Sequence, residues 1–196
     1  MSSIFYEKNH LSYFNSTFKI DSDSFLSPLA KYLNTGDSIL DIGCGSGRDL
    51  LWGVHRGYKV VGFEQSPGLA ELARNHSSCT VIEGDFTSYD FSSLRFSALL
   101  FVGSLVHLPE EELPIILKST CRALVAGGFI FITMKEGNGF SQSDDGRVFT
   151  LWSRKKLERI FADQHLQIVD FSRQTSKIRS DDVWLGYVLS SEVIKT

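Results

Sequence analysis

Residues 38–47 read Ser-Ile-Leu-Asp-Ile-Gly-Cys-Gly-Ser-Gly. A short apolar run, β-rich in character, leads straight into a loop with three glycines in five positions, Gly43, Gly45 and Gly47. Without Cβ atoms the backbone there turns sharply and lets a ligand lie directly against it. The spacing is Gly-x-Gly-x-Gly, not the Gly-x-Gly-x-x-Gly of a dinucleotide-binding turn, and no Lys-Ser/Thr ending marks a phosphate-binding loop. Ligands of open α/β sheets bind beyond the carboxyl ends of the strands. This loop is therefore where a ligand is expected.

Outward from this stretch the chain alternates strand and helix. A helical segment runs to about Arg56 and ends at Gly57. A strand follows over 59–63, then a helix opened by the cap Ser66 and the first-turn proline Pro67. Further strands are expected at 80–82, 98–102 and 129–134. Pro109-Glu110-Glu111-Glu112 places acids at the positive end of a helix, expected to reach about Leu124, to bend at Pro114 and to close at Gly127-Gly128. Upstream, Asp21-Ser22-Asp23-Ser24 offers caps for a helix over 25–33. Downstream, a helix over 153–164 precedes strands at 166–171 and 183–189. Their connection is too short for a crossover helix, so they pair as an antiparallel hairpin. Residues 137–150 read as a long polar, glycine-rich loop, a kind that is often functional. Such alternation predicts an α/β three-layer domain, its mostly parallel sheet ending in that C-terminal hairpin.

Composition bounds the partners. The 196 residues are 42% hydrophobic and 22% charged with a net charge of −3, which opposes a general electrostatic grip on nucleic acid. Cys44, Cys79 and Cys121 are too widely spaced for a disulfide framework or zinc site, so no metal is expected and a reducing cytoplasm is the simplest setting. No signal-peptide pattern opens the chain. The longest apolar stretch, 98–106, is interrupted by Gly103 and Ser104 and is far too short to span a bilayer. The sequence is silent on oligomeric state.

Two further features stand in order behind the glycine loop. Glu64 ends the second strand in Val-Val-Gly-Phe-Glu-Gln-Ser-Pro, where a carboxylate accepts from both hydroxyls of a ribose. Gly84-Asp85-Phe86 follows the third strand, setting a carboxylate for an amino group beside a ring that packs on a base. Together with Leu40-Asp41-Ile42-Gly43-Cys44-Gly45-Ser46-Gly47 these resemble the class I, Rossmann-like, S-adenosylmethionine-dependent methyltransferases over residues 37–135. The resemblance implies a seven-stranded sheet with S-adenosyl-L-methionine as cofactor and S-adenosyl-L-homocysteine as product. It sets Glu64 on the ribose, Asp85 and Phe86 at the adenine, and Gly43 and Gly45 against the methionine part. Asp41, Cys44, Gly47, Gln65, Val102 and Gly103 belong to the same implied cofactor site. A further likeness, to small bacterial methyltransferases with Lys-x-Gly and Gly-Arg-x-Phe-Thr, rests on Lys135-Glu136-Gly137 and Gly146-Arg147-Val148-Phe149-Thr150. It implies one domain over 1–196, with 1–35 a helical cap carrying Tyr6 and Tyr13 over the site and 36–196 the core.

The acceptor side is less determined. His107 follows the fourth strand, where it is a candidate base or acceptor contact; the competing reading makes it a helix cap or a packing residue under the loop. Lys135, Glu136 and Arg147 either face the pocket or are surface charges. Trp52, Trp152 and Trp184 read as aromatic core by default. The Asn/Asp-Pro-Pro-Tyr of amino-nitrogen methylation is absent after the fourth strand, and no cysteine follows a proline as carbon methylation of cytosine requires. A small-molecule acceptor is the leading expectation. A tRNA or protein acceptor and a non-catalytic cofactor-binding module remain the alternatives.

Overall fold

The computed structural model describes residues 2–176 and 181–191. Three helices open the chain: α1 (Ser2–Lys8), α2 (His10–Thr17) and α3 (Asp23–Ala30). Strand β1 (Ser38–Ile42) leads through the glycine loop into α4 (Arg48–His55). Then come β2 (Lys59–Glu64), α5 (Pro67–Ser77), β3 (Thr80–Glu83), β4 (Phe96–Val102), α6 (Leu113–Thr120) and β5 (Leu124–Lys135). A small hairpin, β6 (Gly139–Gln142) and β7 (Val148–Leu151), precedes α7 (Arg154–Asp163), β8 (Leu166–Thr175) and β9 (Val183–Ser191). The main sheet has seven strands in the order β3-β2-β1-β4-β5-β9-β8. Its first five strands are parallel, while β9 runs antiparallel to both β5 and β8. The expected architecture is the observed one.

Period-2 alternation divides the apolar residues between two faces. Leu40, Ile42, Leu99, Phe101, Ile130, Ile132, Leu185 and Tyr187 share one core with Leu113, Ile116 and Leu117 of α6 and Leu157 and Phe161 of α7. Ile39, Ala98, Leu100, Phe131 and Val188 face the other way, onto Leu26 and Leu29 of α3 and Trp52 of α4. Burial on both faces explains why the central strands read as nearly continuous hydrophobic runs.

Two expectations need correction. The helix expected from Pro109 begins at Leu113, which makes Pro114 a first-turn residue and not a bend. Proline is tolerated there because that N–H has no intrahelical partner. Gly127 and Gly128 do not close the helix; they lie inside β5, where the register against β4 jumps from Phe96↔Leu124 to Ala98↔Phe129. The polar stretch 137–150 is not a loop but largely the β6–β7 hairpin. Asp145-Gly146 supplies its turn: Gly146 has a φ of +84°, and the amide of Ser143 donates to the carbonyl of Arg147 at 2.9 Å. Residues 177–180, between β8 and β9, lie outside the described residues.

Candidate active site

The glycine loop is pinned to the sheet. The amides of Gly43 and Cys44 both donate to the carbonyl of Phe63 on β2, at 2.8 and 3.1 Å, drawing the loop across the ends of the parallel strands. Gly43 has a φ of +79°, and a Cβ on it would come within 2.5 Å of the Ser104 Cβ. A cavity of about 300 Å³ lies here, lined by Gly43, Gly45, Glu64, Gln65, Asp85 and Phe86 together with Val102, Gly103 and His107.

Glu64 is 8% exposed. Its Oε2 accepts from the amide of Gly45 at 2.9 Å, and Oε1 accepts from the amides of Gln65 and Ser66, each at 3.0 Å. Burial raises its pKa, and the three amides only partly offset this. Asp85 Oδ1 accepts from the amide and hydroxyl of Thr87, at 2.9 and 2.7 Å. Asp41 is 1% exposed and neither carboxylate oxygen has a hydrogen-bond partner. Burial, with Asp49 adding to it, pushes its pKa well up.

Not every expected residue lines this cavity. Asp41 is buried and does not line it. Cys44 turns its thiol into a small core with Leu50, Ala70, Ala73 and Val81. Gly47 allows α5 to approach, since a Cβ on it would sit 2.9 Å from the Cα of Ala73.

A second cavity, about 190 Å³, adjoins the first beyond β4, β5 and β9. Tyr6, Tyr13, Val102 and Gly103 line both cavities and mark their junction. Lys135 and Arg147 line the second. Lys135 is 5% exposed, donates from Nζ to Asp182 Oδ2 at 2.6 Å and lies 3.9 Å from the Phe149 ring centroid. Arg147 pairs with Asp145, Nη2 to Oδ2 at 2.7 Å, and donates from Nη1 to the Tyr6 hydroxyl at 3.3 Å. That hydroxyl is 2.8 Å from His107 Nε2, and His107 Nδ1 is 2.7 Å from the carbonyl of Val148. Burial lowers the His107 pKa, the bond to Val148 works against this, and the positive charges of Arg147 and Lys135 reinforce it.

The N-terminal helices supply two of the shared walls. The Tyr13 ring packs on the glycine loop, its Cε1 3.3 Å from where a Gly45 Cβ would stand. Tyr6 meets Tyr13 edge-on with centroids 4.9 Å apart. Glu7 ties α1 to the start of α5, its Oε2 accepting from the Ser66 hydroxyl at 2.6 Å and the Gly68 amide at 3.1 Å.

Residues 39–128 match the family described as a methyltransferase domain. An uncharacterised methyltransferase of Oceanobacillus iheyensis is 26% identical over 91 residues, which are 46% of this chain and 42% of that protein, so the likeness spans under half of its length. Magnesium protoporphyrin IX methyltransferase from Synechocystis PCC 6803, solved with S-adenosylhomocysteine, superposes at a TM-score of 0.79 with 11% identity, covering 97% of this chain and 98% of that one. Burkholderia thailandensis 1,6-didemethyltoxoflavin-N1-methyltransferase gives 0.73 at 19% identity, covering 97% and 84%. At such identities the likeness speaks for the fold alone.

The matched stretch contains the glycine loop, Glu64, Asp85, Phe86 and His107 but ends before Lys135, Arg147 and Trp184. Trp184 lines the second cavity, whereas Trp152 is fully buried core and Trp52 donates to Asp23 Oδ1 at 2.7 Å. Trp184 packs against the main core and also lines the cavity, and is paired with Lys135 across the β5–β9 register. Alternation from Leu185 and Tyr187 puts Trp184 on the opposite face, which was the available signal. Arg48, Thr133 and Gln174 also line that cavity without any motif to announce them.

Proposed function

We propose that the chain is an S-adenosylmethionine-dependent methyltransferase that transfers a methyl group to a small-molecule acceptor by in-line displacement. The observation that carries the reading is the first cavity, where a buried carboxylate at the end of β2 faces a glycine loop and shares the lining with Asp85 and Phe86. The residues present fit the donor. Glu64 keeps about one acceptor site beyond its three amide bonds for a ribose hydroxyl, since an ionised carboxylate has about four. Gly43 and Gly45 keep the cavity floor free of side chains, and Gln65, Val102 and Gly103 complete its walls. When bound, S-adenosylmethionine supplies a methyl group on a sulfonium, already activated for displacement. The protein's task is then alignment and exclusion of water.

The second cavity is the acceptor site in this reading. Its modest volume, and the closure of its junction by Tyr6 and Tyr13 from an N-terminal cap, favour a small acceptor over RNA or protein. Three free cysteines are consistent with a reducing, cytoplasmic setting, and no helix among the described residues is long and apolar enough to cross a membrane. Calorimetry with S-adenosylmethionine and S-adenosylhomocysteine tests the donor assignment. Glu64→Ala should weaken both at least tenfold, about 1.4 kcal/mol. Equal affinity in wild type and variant contradicts it.

A further inference from the structure

The chain of hydrogen bonds at the junction of the two cavities has a fixed direction. The carbonyl of Val148 can only accept, so His107 Nδ1 carries a proton and donates to it at 2.7 Å. In the neutral ring Nε2 is then an acceptor, so the Tyr6 hydroxyl, 2.8 Å away, donates to it. Arg147 Nη1 donates to the same phenol oxygen at 3.3 Å. A hydroxyl has one proton and two lone pairs. With its proton committed to His107 and one lone pair taken by Arg147, Tyr6 presents an acceptor site at the place where both cavities meet.

We propose that Tyr6 is a catalytic residue that receives the proton of the methyl acceptor and passes its own to His107, and that the acceptor is an aromatic compound bearing a hydroxyl group. This rests on reading the first cavity as the methyl-donor site. The aromatic class follows from the walls of the second cavity, where Phe25, Phe131, Phe149 and Trp184 join Tyr6 and Tyr13. The step balances. The acceptor O–H bond breaks and its proton goes to Tyr6 Oη as the Tyr6 proton moves to His107 Nε2. The oxygen lone pair bonds to the methyl carbon, and the carbon–sulfur pair stays on sulfur, so sulfonium becomes thioether while the imidazole gains the positive charge. Arg147 is a positioning residue: it fixes the phenol oxygen and, held by Asp145, is itself kept in place. Burial lowers the His107 pKa, so the ring rests neutral with Nε2 unprotonated.

The test needs no turnover. 4-Nitrophenol, whose phenolate absorbs in the visible, is titrated with wild-type protein saturated with S-adenosylhomocysteine, at a pH below the phenol's own pKa. Bound ligand should appear as phenolate, and the ring ¹⁵N signals of His107 should move to imidazolium positions. Tyr6→Phe, which keeps the ring packed on Tyr13, and His107→Gln, whose amide can still donate to Val148, should return the bound ligand to the phenol form, with folding verified by circular dichroism. Bound phenol in the wild type, phenolate persisting in Tyr6→Phe, or no binding of 4-nitrophenol at all each overturns the proposal. Failure of the wild type to bind S-adenosylhomocysteine is a separate result that overturns the donor reading, and this proposal with it.

Discussion

A Cβ on Gly43 would stand 2.5 Å from the Cβ of Ser104, on a residue already at a φ of +79°. The first conflict is steric and the second conformational, so they are separable. Strain at a left-handed non-glycine residue costs about 1–3 kcal/mol. Gly43→Ala should therefore lower the melting temperature by roughly 2–12 °C for a chain of this size. Adding Ser104→Gly should recover the steric part alone. An unchanged melting temperature in Gly43→Ala contradicts the packing described here. At this scale the sequence was legible where chemistry is carried by the backbone. The glycine loop, Glu64, Asp85 and Phe86 could be placed because each ends or follows a strand whose pattern was clear. Cys44 and Gly47, from the same motif, serve packing instead. The direction of a side chain within a tight loop is set by the neighbours it folds against, which spacing does not reveal.

Among the elements, α1 is held to the body by Glu7 at the N-terminal end of α5. A carboxylate there accepts the Gly68 amide and the Ser66 hydroxyl and complements the helix dipole. The bonds from Ser66, first, and Gly68 lower its pKa. A group whose folded pKa is depressed contributes stability above its unfolded pKa and loses it as pH falls through the folded value. Glu7→Gln should thus melt earlier than wild type near neutral pH, with faster amide exchange across α1. The gap should close as pH falls below the ordinary carboxylate range. A gap that persists in acid contradicts the charge-based latch. The elements the sequence misassigned share one cause. Around Pro109–Gly128 and in 137–150, proline and glycine were read as breaks, although Pro114 sits in a first turn and Gly127 in an irregular strand. Asp145-Gly146 was a hairpin signal. The polar composition around it outweighed that signal because a two-stranded ribbon shows little apolar alternation.

For the whole molecule, the parallel half of the sheet and its antiparallel end do different work. Strands β1 to β4 deliver the glycine loop, Glu64, Asp85 and His107 to one edge, within the stretch that matches the family. The N-terminal helices, β5, the β6–β7 hairpin and β9 wall the second cavity, and they lie almost entirely outside the matched stretch. That division explains why the lining of the first cavity was readable in the sequence and that of the second was not. One depends on local motifs, the other on residues as far apart as Tyr6 and Trp184 being brought together by the fold. The most direct test is a crystal structure with S-adenosylhomocysteine bound. The adenosine should lie between Glu64 and Asp85-Phe86, with the sulfur at the rim shared by Tyr6, Tyr13, Val102 and Gly103. Adenosine in the second cavity, or a sulfur turned away from that shared rim, would contradict the assignment of donor and acceptor sites.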